Sequence, residues 1–128
     1  MHNPTTIKKF ELSDFYLQLS LEDKQLLFQS TQHMTEANLS PAQFLWMGAS
    51  NLLPHRHYAL AEQMLIHALT TATEPDDLAY IHANLAQCFY DQLENHPEYI
   101  QLCKDHCQEV YQLGYFQKWT AELLASIT

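Results

Sequence analysis

The stretch from Asp76 to Asp91, DDLAYIHANLAQCFYD, is apolar or small on nearly every side of a helix. At helical spacing Leu78, Ile81, His82, Leu85, Cys88 and Phe89 form one stripe, and Tyr80, Ala83, Asn84, Gln87 and Tyr90 form a second. A helix with apolar residues on two sides must be covered on both. The stretch therefore belongs at the centre of a stack of helices, and the rest of the chain has to supply its neighbours.

Proline supplies the punctuation on either side. It is tolerated in the first turn of a helix and expelled from the interior, so Pro41, Pro54, Pro75 and Pro97 mark starts and turns. Helices are expected at about 41 to 53, 57 to 72, 76 to 93, 97 to 113 and 115 to 126, with Ser40 as an N-cap and Gly114 as a left-handed stop. Upstream, Ser20 followed by Asp23 resembles a capping box. It opens a leading helix from Leu21 to Ala37 that buries Leu27, Phe28, Thr31 and Met34 and ends at Asn38. Residues 13 to 21 alternate as a strand would, but no strand follows to pair with them, and a short helix capped by Ser13 is the better reading. Residues 1 to 12 read as an arm that packs through Ile7 and Phe10.

The composition sets the class. At 128 residues the chain fits a single domain, 1 to 128, and 47% hydrophobic against 16% charged residues is a globular balance. The opening MHNPTTIKKFELSD has no apolar core, so a secretory signal is not expected and the chain is read as starting at its own Met1, in the cytoplasm. No uncharged apolar run is long enough to span a membrane. Fifteen acidic and six scattered basic residues give a formal charge of -9, which would repel phosphate backbones and excludes nucleic acid as a partner. Two glycines are too few for a phosphate-cradling loop, and three cysteines read as reduced thiols.

Laid on itself at an offset of 37, the chain aligns Ala42 with Ala79, Ala49 with Ala86, Leu52 with Phe89 and Leu53 with Tyr90. Leu45, Gly48, Ala49 and Leu52, then Tyr58, Ala61, Leu65, Ala68 and Pro75, resemble the tetratricopeptide repeat family. A second copy carries His82, Leu85, Ala86 and Phe89, then Cys103, Cys107 and Val110, after a turn at Asn95-His96-Pro97 about one helical turn longer. The resemblance covers residues 42 to 113 and implies an all-α fold of five to seven helices, with antiparallel hairpins stacked as a short superhelix. Two copies are fewer than such a stack usually needs. The 21 to 37 helix and a capping helix at 115 to 127, packed through Phe116, Trp119, Leu123 and Ile127, are expected to cover the ends.

The resemblance also implies that the first helix of each hairpin lines a concave groove, which puts Trp46, Ser50, Leu53, Tyr80, Asn84, Gln87 and Tyr90 forward as peptide-binding residues. Aromatics interleaved with amides suit a peptide or a partner helix. In the alternative, Trp46 and Tyr80 only pack beneath the N-terminal helices. Some family members clamp a C-terminal carboxylate with basic side chains on these helices; here neither helix carries Lys or Arg, so a basic or apolar segment is the expected partner. Cys103, His106 and Cys107 share a helical face that Cys88 or His82 could approach, a conceivable zinc set, although buried free cysteine ordinarily acts as a small hydrophobe. His55 and His57 flank Arg56 in a turn, where a solvated turn is the simpler account. Neither a nucleophile beside a base nor paired carboxylates in an apolar setting can be placed, and no cofactor is called for.

The expected function is thus a non-enzymatic protein-protein interaction module. Alternatives are a small acidic chaperone of a bacterial secretion system, which this chain resembles in size, charge and helical construction, and a metal or redox protein using Cys88, Cys103 and Cys107. Pairing of the aromatic C-terminal helix across a two-fold axis would make a homodimer.

Overall fold

A computed structural model describes residues 14 to 34 and 39 to 127; Ile7, Phe10, Ser13, Ala37 and Asn38 lie outside them. The described residues are all-helical, without a strand. They form α1 (Asp14–Gln18), α2 (Leu21–Thr31), α3 (Pro41–Leu52), α4 (Tyr58–Thr71), α5 (Pro75–Tyr90), α6 (Ile100–Gln112) and α7 (Gln117–Ile127). Two short 3-10 turns, Leu53–His55 and Pro97–Tyr99, join α3 to α4 and lead into α6. The chain divides into two compact units, one ending at Thr71 and one beginning at Ala72.

In the first unit, the Ser20 hydroxyl accepts from the Asp23 amide at 3.0 Å and starts α2 where the capping signal places it. The helix stops at Thr31, short of the expected Ala37. Ser30 Oγ and Thr31 Oγ1 both donate back to the Leu27 carbonyl, at 2.9 and 2.8 Å, and such back-bonding weakens a helix locally. Leu27 and Thr31 are buried, but Phe28 is 54% exposed, against expectation, because the next residue round the helix turns outward when Leu27 points in. α3 opens on a complete capping box between Ser40 and Gln43, with Pro41 in the first turn. It ends where Pro54 tightens the chain into a 3-10 turn and Arg56 takes a left-handed φ of 63°.

α3 and α4 pack as a hairpin whose inner residues are small or aliphatic. Leu45, Ala49, Ala61, Met64, Leu65 and Ala68 are buried. Gly48 lies where three helices meet: a Cβ there would stand 2.8 Å from Thr31 Cγ2 and 2.9 Å from Met64 Cε. One residue beyond Ala49's turn, Asn51 Nδ2 donates to the Ser30 carbonyl at 2.8 Å and ties α3 to the end of α2.

The second unit repeats the hairpin with α5 and α6. Ala79, Ile81, Leu85, Ala86 and Cys88 are buried on α5, while Leu78, expected to pack, is only half-buried. On α6 the buried residues are Cys103, Cys107 and Val110, and they reproduce the spacing of Ala61, Leu65 and Ala68 on α4. α5 closes at Tyr90 rather than residue 93, since the chain turns from Asp91 to His96, and Pro97 makes the first turn of the following element 3-10 rather than α. Gly114 adopts φ +84° and stops α6 as expected. Phe116 is also left-handed, at φ 49°, which delays α7 to Gln117. Its buried residues are Thr120 and Leu123.

The Gly48 crossing makes a direct prediction. Replacing Gly48 by Ala raises helix propensity by up to about 1 kcal/mol, but overpacking against the branched Thr31 side chain costs about 1–3 kcal/mol. We expect a net loss of stability, about 1 kcal/mol, read as a lower urea midpoint at unchanged slope. A midpoint equal to or above that of the parent protein would show that the three helices have room to spare.

Candidate functional site

The outer stripe of α5 is where the sequence places most of the candidate binding residues, and all of them belong to the second unit. Tyr80 is 39% exposed; Asn84, Gln87 and Tyr90 are half-buried. α7 flanks the stripe. At one end the Tyr80 ring meets Phe116 edge-on, centroids 5.0 Å apart, and at the other Ser126 Oγ lies 3.4 Å from the Tyr90 hydroxyl. Both pairs join residues 36 apart, start with start and end with end, so α5 and α7 run parallel. The Tyr115 hydroxyl, which donates to Asp76, fastens the entry to α7 onto the first turn of α5.

Between the two helices lies an open cleft of about 270 Å³, lined by Gln87, Tyr90, Trp119, Glu122, Leu123 and Ser126. Leu123 is its buried floor. The Gln87 amide is held by a bond to Asp91 Oδ1 at 2.7 Å, and the Asn84 amide donates to the Tyr80 carbonyl at 2.8 Å. Both side chains thus keep an acceptor oxygen for other use. Trp119, Glu122 and Ser126 were missed as site residues. The signal that would have found them is the offset of 36, one residue short of the 37 that relates the two hairpins.

The remaining candidates belong to the first unit. Trp46 and Ser50 are half-buried on α3, whereas Leu53 is buried at 7% exposure in the 3-10 turn and is core rather than contact surface. That turn borders a separate cleft of about 520 Å³, where Asn51, His55 and His57 face Gln29, Ser30 and His33.

Cys103, His106 and Cys107 are not gathered at one point: among the described residues no three His, Cys, Asp or Glu side chains converge as a metal site. Both sulfurs, like that of Cys88, are buried free thiols. Cys103 donates to the Ala86 carbonyl at 3.4 Å, and the adjacent Cys107 together with burial holds it protonated. His106 turns instead to His82, Nδ1 to Nδ1 at 2.9 Å, and stacks on Phe89 with centroids 5.8 Å apart. One Nδ1 must donate and the other accept, so the accepting ring is neutral and carries its proton on Nε2.

Burial lowers the pKa of both rings, that of His106 to about 4, with the neighbouring His82 adding to the effect; Glu109 and Asp105 oppose it in part. In the unfolded chain a histidine titrates near 6.5. Between those values the unfolded state binds more protons, so stability is present above pH 6.5 and is lost as the pH falls toward 4. The urea midpoint should therefore drop between pH 7 and pH 5, and His106→Gln should flatten that dependence. Parallel profiles for the two proteins would rule the pair out as its source.

Comparison with known protein families, curated proteins and solved structures finds no match to this chain.

Proposed function

We propose that the chain is a non-enzymatic interaction module of tetratricopeptide-like construction, working in the cytoplasm, that holds a peptide or protein segment along the outer face of α5. The observation that carries this is the parallel pairing of α5 and α7, which leaves Tyr80, Asn84, Gln87 and Tyr90 partly open beside a cleft rather than sealed in the core. Parallel first helices at a constant spacing are the geometry on which repeat modules build binding surfaces. The matching buried triplets on α4 and α6 support the same construction. A partly open row of aromatic rings and pinned amides offers apolar anchors together with acceptors for peptide N–H groups.

The test is selection from a random peptide library by the immobilised full chain, followed by calorimetry on the selected peptides. Tyr80→Leu combined with Gln87→Ala should weaken binding at least about tenfold, the effect of roughly 1.4 kcal/mol, with helical circular dichroism and melting temperature nearly unchanged. Recovery of no binding peptide, or full binding by the folded double variant, would refute the proposal.

A further inference from the structure

The cleft between α5 and α7 has a pronounced electrostatic sign. Gln87 and Tyr90 stand in the last turn of α5, and on α7 the lining runs from Trp119 in the first turn through Glu122 and Leu123 to Ser126 in the last. Because the two helices run parallel, both end at the side of the cleft where Tyr90 meets Ser126. Each helix C-terminus carries a partial negative charge, roughly half an electron charge, which favours cations and disfavours anions. Glu122 lies on the rim, and Asp91 stands just behind the Gln87 amide it holds. No Lys or Arg lines the cleft. Lys118, one turn before Glu122 on α7, is exposed and forms no ion pair with it among the described residues.

Two aromatic rings line the cleft with Glu122, Tyr90 at the end where the helices stop and Trp119 toward the start of α7. The face of an indole or phenol attracts a cation through its quadrupole, and Trp does so best. Two other clefts among the described residues lack the combination. The notch between α6 and α7, lined by Tyr111, Ala121 and Leu124 with two glutamines, has no charged side chain. The larger cleft of the first unit is lined by imidazoles and amides without a carboxylate.

We infer that the α5–α7 cleft receives a basic side chain, a guanidinium or ammonium group, from the bound segment, seated against Trp119 and Tyr90 and paired with Glu122. This rests on the reading of the α5 face as a peptide-binding surface and gives that surface its specificity. The Leu123 floor would take the aliphatic stem while the charged head stays at the wet rim, as such side chains prefer. The cleft's size, about 270 Å³, suits one side chain rather than a helix.

The experiment is a titration of the full chain, followed by two-dimensional NMR, with the blocked tripeptide Ac-Ala-Arg-Ala-amide, its lysine counterpart and its citrulline counterpart. Citrulline matches arginine in shape and lacks the charge. The Trp119 indole N–H resonance, assigned from a Trp119→Phe spectrum, should shift saturably with the arginine and lysine peptides, with a dissociation constant on the order of 10 mM. Citrulline should bind at least about fivefold more weakly, and Glu122→Gln should weaken arginine binding by a similar factor, as should added salt. Equal shifts from arginine and citrulline, an unchanged affinity in Glu122→Gln, or the absence of a saturable shift would overturn the assignment. Library peptides that bind without a basic residue would overturn it while leaving the interaction surface standing. A cleft that takes the arginine peptide in a protein that selects no longer peptide would do the reverse.

Discussion

Each hairpin closes around side chains too small to hold its helices apart, and the rest of the structure depends on that close approach. In the first unit the crossing is made by Gly48 and Ala49 against Ala61 and Ala68, and so little room remains at Gly48 that even one added carbon would collide with Thr31 and Met64. In the second, Ala86 faces Cys103 so closely that the thiol reaches the Ala86 main-chain carbonyl. Dense packing of this kind forfeits little dispersion energy and leaves no void to fill. It also fixes which face of each first helix is spent on its own hairpin. What is left over is the other face, and on α5 that is the row from Tyr80 to Tyr90.

Much of this was legible because it is local chemistry. Ser20, Ser40, Pro41 and Gly114 act through hydrogen bonds and dihedral limits within a few residues, and each does in the structure what its position implied. The errors share a cause, which is that helix ends and side-chain facing also answer to tertiary contacts. α2 stops at Thr31 because two hydroxyls turn back onto Leu27, a choice that no periodicity reports. Phe28 and Leu27 are equally apolar, and only the docking of α2 on α3 decides which of them points inward. α7 starts late because Phe116 adopts a left-handed conformation uncommon for a bulky residue, and it does so while its ring packs on Tyr80.

The candidate site was legible in part, and unevenly. Tyr80, Asn84, Gln87 and Tyr90 could be assigned to one stripe because a single helix carries them. Leu53 could not be kept on that surface once Pro54 drew it into a 3-10 turn and buried it. Trp119, Glu122 and Ser126 come from a different helix, and their place beside α5 depends on the direction and register of α7. Those are fixed by contacts at both ends of the helix, and their one trace in the sequence is the offset of 36, which no periodicity within α7 reports. Thr120 shows the same limit from the other side: a polar residue between two more apolar candidates, it is the one fully buried, because its hydroxyl is satisfied by the Phe116 carbonyl at 2.8 Å.

The two hairpins also differ where they are equivalent. Leu45 is buried in the first, and at the matching position the second carries His82. An imidazole on a half-buried stripe needs a partner, or its desolvation goes unanswered. His106 answers it from α6, and the interaction works only while the accepting ring stays neutral. Replacing a leucine by a histidine thus converts a contact indifferent to pH into one that depends on proton occupancy. Because His82 lies on the hairpin side of α5 while Gln87 and Tyr90 lie on the outer side, this dependence acts on the closure of the hairpin itself, and on the outer face only through it.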